Sequence, residues 1–200
     1  MTLLVVTPPT SEPVTLDEAR AQCRVIARDE DALLAGYVMR AREHVETYVG
    51  RTLMTTTYDL LLDGWAQFTR DGYERNGIVL PRPPLQSITT ITYVDPLGAT
   101  QTLAANQYRA LAASDMQGDG IVIPAYGVTW PSLRDDLDVV KVRYVAGYAD
   151  ASTVPHAIKQ AILMLTEHYF THRGPMLTGT IATELPFTVK DLLFPWRVLC

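Results

Sequence analysis

Hydrophobic positions recur along this chain with two different periods, and the change from one to the other divides it. Ile158, Ile162, Leu165, Tyr169 and His172 fall at alternating spacings of four and three, which makes them one stripe of a helix over 155–172. Pro155 suits the first helical turn, where its missing N–H costs nothing, and Gly174-Pro175 is a stop signal. A second stripe, Leu34, Val38, Ala41, Val45 and Tyr48, predicts a helix over 30–49 with Arg40, Arg42, Glu43 and Glu46 turned to water and Gly50 as its left-handed cap. Before it, Thr15-Leu-Asp-Glu18 is a capping box that opens a short helix with Leu16, Ala19 and Cys23 on one face. The carboxylates of Asp29-Glu-Asp31 then favour the positive end of the next helix dipole.

After Arg51 the period shortens to two. Residues 55–62, 77–80, 87–94, 120–124 and 139–146 are β-branched or apolar runs that predict strands, the last with Val140, Val142 and Tyr144 on one side. Asp95-Pro-Leu-Gly98 has turn residues at type I positions and predicts a hairpin from 87–94 into a strand over 99–104. Pro81-Arg-Pro-Pro84 has too few N–H donors for a ladder and reads as an edge or connecting segment. Residues 1–14, rich in Pro and Thr, read as an extended arm.

The helices on either side of the β region each bury a single stripe, and packing them together is the simplest way to cover both. The expected fold class is therefore α+β: a small helical bundle, two N-terminal helices plus a C-terminal helix, with an inserted antiparallel β lobe. The expected divisions are 1–54 for the arm and helix pair, 55–148 for the β-rich insertion, 149–174 for the C-terminal core helix, and 175–200 for a linker and docking segment.

That last segment carries large apolar side chains where a chain end is normally polar: Leu185, Phe187, Leu192, Leu193, Phe194 and Trp196, with Arg197 beside them. Two readings stand open. The segment folds back over the chain's own sheet, or it anchors an interface, since Phe, Trp and Arg are residue types that dominate binding hot spots.

Composition narrows the classes. The chain has 200 residues, 48% of them hydrophobic and 20% charged, the balance of a folded protein rather than a disordered tail. No apolar run is long enough to span a bilayer, and Met1-Thr-Leu-Leu-Val-Val6 lacks the basic flank of a signal peptide, so cytoplasmic synthesis and no membrane partner are expected. With 22 acidic and 17 basic residues the net charge is −5, and no two Lys or Arg are adjacent, which disfavours a grip on a phosphate backbone. A mildly acidic surface still suits a protein past which DNA slides. Cys23 and Cys200 have no paired spacing and are expected to be free thiols.

No catalytic motif is present: there is no GxGxxG, P-loop, GxSxG or HExxH. His168 and His172, one turn apart and preceded by Glu167, have a spacing that can place two imidazoles on one ion, but no third ligand can be assigned and His172 continues the core stripe. Asp135-Asp136 and Asp29-Glu-Asp31 are explained by turn and helix-start roles. The expected catalytic residues, cofactors and metal ligands are none.

Four stretches taken in order resemble the phage head–tail connector, or adaptor, proteins in their longer form with a β insertion. They are Leu16-Asp-Glu-Ala19 with Asp29-Glu-Asp-Ala-Leu33; Ala41-Arg-Glu-His-Val-Glu-Thr-Tyr-Val-Gly-Arg51; Leu80-Pro-Arg-Pro-Pro-Leu-Gln-Ser-Ile88 with Ile91-Thr-Tyr-Val-Asp95 and Val142-Arg-Tyr-Val-Ala-Gly-Tyr148; and Val154-Pro-His-Ala-Ile-Lys-Gln-Ala-Ile162 with Leu185-Pro-Phe187 and Pro195-Trp-Arg197. Similar proteins occur in prophages and gene transfer agents. The loop 63–76 and the linker 175–184 match nothing in the family.

The resemblance implies a non-enzymatic subunit of a ring, expected to be a dodecamer, in the neck of the particle. The ring sits under the portal protein, extends the DNA channel and presents a platform to a neck, stopper or tail-completion protein. It also implies that the C-terminal segment reaches the portal through Leu185, Phe187, Leu192, Leu193, Phe194, Trp196 and Arg197. The competing expectation is a β-rich binding or baseplate module that recognises a ligand or another tail protein.

Overall fold

The computed structural model describes residues 1–70, 73–111, 119–172 and 187–198. It has two compact units, one made of Met1–Pro9 with Thr55–Tyr148 and the other of Thr10–Met54 with Ala149–Cys200. The fold is α+β, with a helical bundle interrupted by an antiparallel β insertion.

The helical unit contains α1 (Leu16–Cys23), α2 (Asp31–Val49), α3 (His156–Thr171) and α4 (Phe187–Leu193). The capping box opens α1: the Thr15 amide donates to Glu18 Oε2 at 2.6 Å and the Glu18 amide donates to Thr15 Oγ1 at 3.2 Å. The Thr15 amide, together with the Thr15 hydroxyl, which donates to the same Glu18 Oε2 at 2.8 Å, holds the Glu18 carboxyl below its ordinary pKa. Arg24, left-handed at φ 55°, closes the helix. Asp31 in the first turn of α2 accepts from Arg20 Nε of α1 at 2.7 Å, so the acid that suits the helix dipole also ties the two helices together.

Leu34, Val38, Ala41, Val45 and Val49 of α2 are buried, as are Ile158, Ala161, Ile162 and Leu165 of α3, and the two helices pack on each other. Farther along, His44 Nδ1 lies 2.6 Å from the Tyr169 hydroxyl, and the Arg40 guanidinium sits over the Tyr169 ring, 4.2 Å from its centre. Three expectations fail here. His172 is exposed and not part of the core stripe, because α3 ends at Thr171 and His172 is its C-cap. Arg42 is buried rather than solvent-facing, since Glu12 reaches back from before α1 to meet it, and Glu46, expected to face water as well, is mostly buried and accepts from Arg42. Gly174-Pro175 lies outside the described residues.

The β unit contains β1 (Thr2–Thr7), β2 (Thr56–Leu62), β3 (Gln67–Arg70), β4 (Tyr73–Asn76), β5 (Ile78–Leu80), β6 (Leu85–Val94), β7 (Thr100–Thr102), β8 (Tyr108–Leu111), β9 (Gly120–Pro124) and β10 (Val140–Ala146). Three sheets form, in the orders β1-β2-β10-β6-β7, β5-β9-β8 and β3-β4, and every pairing is antiparallel. Strict alternation on β10 sends Val140, Val142, Tyr144 and Ala146 inward. They meet Leu60 and Leu62 of β2, Ile91 of β6, Ile78 and Leu80 of β5, and Val122 of β9 in one core that the five-stranded and three-stranded sheets share. Tyr144 stacks on Tyr58 with ring centres 5.6 Å apart and donates its hydroxyl to the Pro81 carbonyl at 2.8 Å.

The predicted hairpin is present. Gly98 at φ +87° supplies the left-handed step, and Asp95 Oδ1 accepts from the amides of Leu97 at 3.0 Å and Ala99 at 2.9 Å. Its second strand is shorter than expected, residues 100–102 instead of 99–104, because Leu103 turns into the core. Residues 81–84 connect β5 to β6, as their prolines require. The N-terminal arm is in part a strand, β1, which completes one edge of the five-stranded sheet, and the unassigned stretch 63–76 contains the β3–β4 hairpin.

Candidate partner-docking segment

The C-terminal segment continues from α4 into a 3-10 turn, Phe194–Trp196, and then runs beside the end of α2. Three contacts seat it. The Val198 amide donates to the Val49 carbonyl at 2.8 Å, Arg51 Nε donates to the Trp196 carbonyl at 2.6 Å, and the Arg197 guanidinium lies over the Tyr48 ring, 5.0 Å from its centre. Gly50, left-handed at φ +72°, ends α2; a Cβ there would stand 3.5 Å from Val198, an ordinary contact, so a larger residue would be resisted by the left-handed cap.

Below the seat lies a buried polar network. Arg42 is 6% exposed, with Nε donating to Glu12 Oε2 at 2.8 Å and Nη1 donating to Glu46 Oε2 at 2.7 Å. The other oxygen of Glu46 accepts from the Leu53 amide at 2.7 Å, and the Glu46 carbonyl accepts from the amides of Gly50 and Arg51. One side chain thus ties the last turn of α2 to the chain leaving it. Burial works against the charged guanidinium of Arg42, but Glu46 and Glu12 outweigh it and hold its pKa above the ordinary value. Burial also raises the Glu12 carboxyl, a push that Arg42 only partly offsets.

The seven residues expected to meet a partner are divided by this geometry. Leu193 is fully buried, together with Val189 one turn earlier, where α4 packs on α3. Its expected role as a partner contact is therefore corrected: at an i, i+4 spacing the two face inward and anchor the segment to its own bundle. Phe194 points out, 64% exposed, Arg197 is exposed, and Leu192 and Trp196 are half-buried. Leu185 and the side chain of Phe187 lie outside the described residues. The segment's described residues pack on α3 and on the end of α2. In the sequence Tyr48 shows only as a stripe residue and Gly50 only as a helix cap; their part in a seat with Val49 and Arg51 depends on a segment some 145 positions away.

At the other sites the chemistry is local. The His168 and His172 rings lie 4.7 Å apart and tilted, and His172 Nδ1 is 3.0 Å from the His168 carbonyl. Burial, with His172 and Arg40 nearby, lowers the His168 pKa. The Glu167 carboxylate accepts from Gln22 of α1 at 2.7 Å and so is held toward that helix. Among the described residues no group of three or more His, Cys, Asp or Glu could hold a metal ion, and no helix is long and apolar enough to cross a membrane. Cys23 is free, and burial raises its thiol pKa. In the β unit Trp65 stacks on Trp130 with ring centres 4.5 Å apart, and its Nε1 donates to the Pro131 carbonyl at 2.7 Å. These rings, with Tyr93, are partly buried and pack against the core.

The family model for head completion proteins matches residues 14–182. Three solved structures contain similar chains, each aligned over 100% of this chain and 97% of its own length. They are the neck of an empty GTA particle computed with C6 symmetry, at 23% identity and a TM-score of 0.77; the virion of a native gene transfer agent (GTA) particle, at 25% and 0.77; and the neck of a native GTA particle computed with C12 symmetry, at 25% and 0.71. No curated protein sequence matches significantly. The chain belongs to the head completion protein family. Its class is that of structural head–tail connector subunits of phage-like particles.

Proposed function

We propose that this chain works in the particle neck as one of twelve subunits of a ring beneath the portal, extends the DNA channel, and offers its far side to a neck, stopper or tail-completion protein. The observation that carries this reading is the two-faced C-terminal segment. Val189 and Leu193 fix it to the bundle while Phe194, Arg197 and the half-buried Leu192 and Trp196 stay available to a partner. Leu185 and Phe187 belong to the same proposed contact. The twelvefold ring is supported by a neck structure with C12 symmetry that contains a chain similar along nearly its full length. A net charge of −5 suits a channel wall that DNA passes without sticking. The role is structural and involves no catalysis, cofactor or membrane. The test is co-expression with the adjacent portal and tail-completion proteins, followed by affinity isolation of the portal and negative-stain imaging. A ring stacked on the portal is expected; a monomer absent from the portal fraction would contradict the reading.

A further inference from the structure

β1 is an edge strand with almost none of the features that keep edges from pairing. Natural edges are blunted by short length, charge, proline, bulges or a covering segment. β1 has six residues, Thr2-Leu-Leu-Val-Val-Thr7, with no charge and no proline, and its only register shift falls near its end, between Val5 and Thr7. Leu3 packs on the core, but Leu4, Val5 and Val6 are 48%, 60% and 42% exposed. Among the described residues its single ladder is the one to β2, which leaves the outer row of backbone groups without a strand.

The opposite edge of the same sheet is β7, paired with β6 and exposed at Thr100, Gln101 and Thr102. Four successive antiparallel pairings separate the two edges, so β1 and β7 run in the same direction. A ring needs a head-to-tail contact between two different surfaces of one subunit, whereas pairing like with like gives a closed two-fold dimer. Two distinct edges of one sheet, each with no outer strand among the described residues, meet that requirement, and a copy rotated about an axis along the strands brings its β7 beside β1 in parallel. We infer that β1 pairs with β7 of the next copy, so that sheets join edge to edge between subunits of the ring. This rests on the ring proposed above. The main-chain bonds supply the register, and Leu4, Val5 and Val6 bury their exposed surface against the neighbour.

The test uses full-length protein assembled with the portal, in a Cys23→Ser, Cys200→Ser background. Leu4→Cys or Val5→Cys is combined with Gln101→Cys and oxidised, because adjacent strands bring Cα atoms within disulfide range. One of the two combinations is expected to give a covalent ladder rising to the full ring, with none from any single variant. Val6→Lys is expected to reduce ring assembly at least tenfold while the melting temperature of the free chain stays within a few degrees. Dimers from Val5→Cys alone, cross-links to the portal instead of a second copy, or rings from Val6→Lys at the normal level would overturn the inference and leave the ring standing. A wild-type chain that forms no ring with the portal would defeat the ring and the inference together.

Discussion

In the β unit the apolar core is continuous, and its ion pair, Arg143 Nε to Asp59 Oδ1 at 2.7 Å, lies on the other face of β2 and β10, where Asp59 is buried but the Arg143 side chain stays 39% exposed. In the helical unit the equivalent charges lie inside: Arg42 is enclosed by Glu12 and Glu46 beneath the seat of the C-terminal segment. The difference shows where each unit needs specificity. A sheet defines its register through alternation and ladder bonds, so its core can be wholly apolar. The end of α2 has to hold a turn, an exit and a returning segment in one geometry, and directional bonds from Glu46 do that where apolar contacts would tolerate slippage.

The sharpest way to break the comparison is Glu46→Ala. It leaves buried Arg42 short of an acceptor and frees the Leu53 amide, and it is expected to cost about 3 kcal/mol in the helical unit, read by denaturant unfolding. Loss of under 1 kcal/mol would show that the network is solvated and that the contrast is false. Next in size is Leu193→Ala, expected to cost about 2–3 kcal/mol because the side chain is fully buried. If unfolding were unchanged, α4 would be detached in solution and its packing on α3 unimportant.

A smaller effect separates the units by pH. The hydrogen-bonded Arg143 holds the Asp59 carboxyl below its ordinary pKa of 3.8, which outweighs burial. A depressed carboxyl contributes stability that is complete above the unfolded pKa and is lost as pH falls through the folded one. The β unit is therefore expected to weaken as pH drops below about 4, and Asp59→Asn should flatten that part of the profile. An unaltered acid slope in the variant would assign it to other carboxylates.

Much of this molecule is legible from pattern. The stripes on α2 and α3, the capping box, the Asp95–Gly98 turn and the alternation of β10 all follow from local rules, because each is decided by residues within a turn or two. The misreadings share a cause. For Arg42 local pattern implies water, because charges off an apolar stripe are solvated unless a partner arrives from elsewhere, and Glu12 is thirty positions away in sequence. β1 reads as part of an arm because its apolar run does not alternate and prolines follow it at once, and only its pairing with residues 57–61 reveals it. Leu193 and Phe194 are indistinguishable in the sequence because both are apolar and adjacent; which one faces inward depends on the helical phase of α4 relative to α3.

The central claim is that the segment has one face for its own bundle and another for a partner, and Phe194→Ala tests it most directly. Measured against immobilised portal protein, with thermal unfolding in parallel, the variant is expected to lose at least tenfold in affinity while stability changes by less than about 0.5 kcal/mol, the range for an exposed side chain. Unchanged affinity for the portal, or a marked fall in stability, would contradict the account.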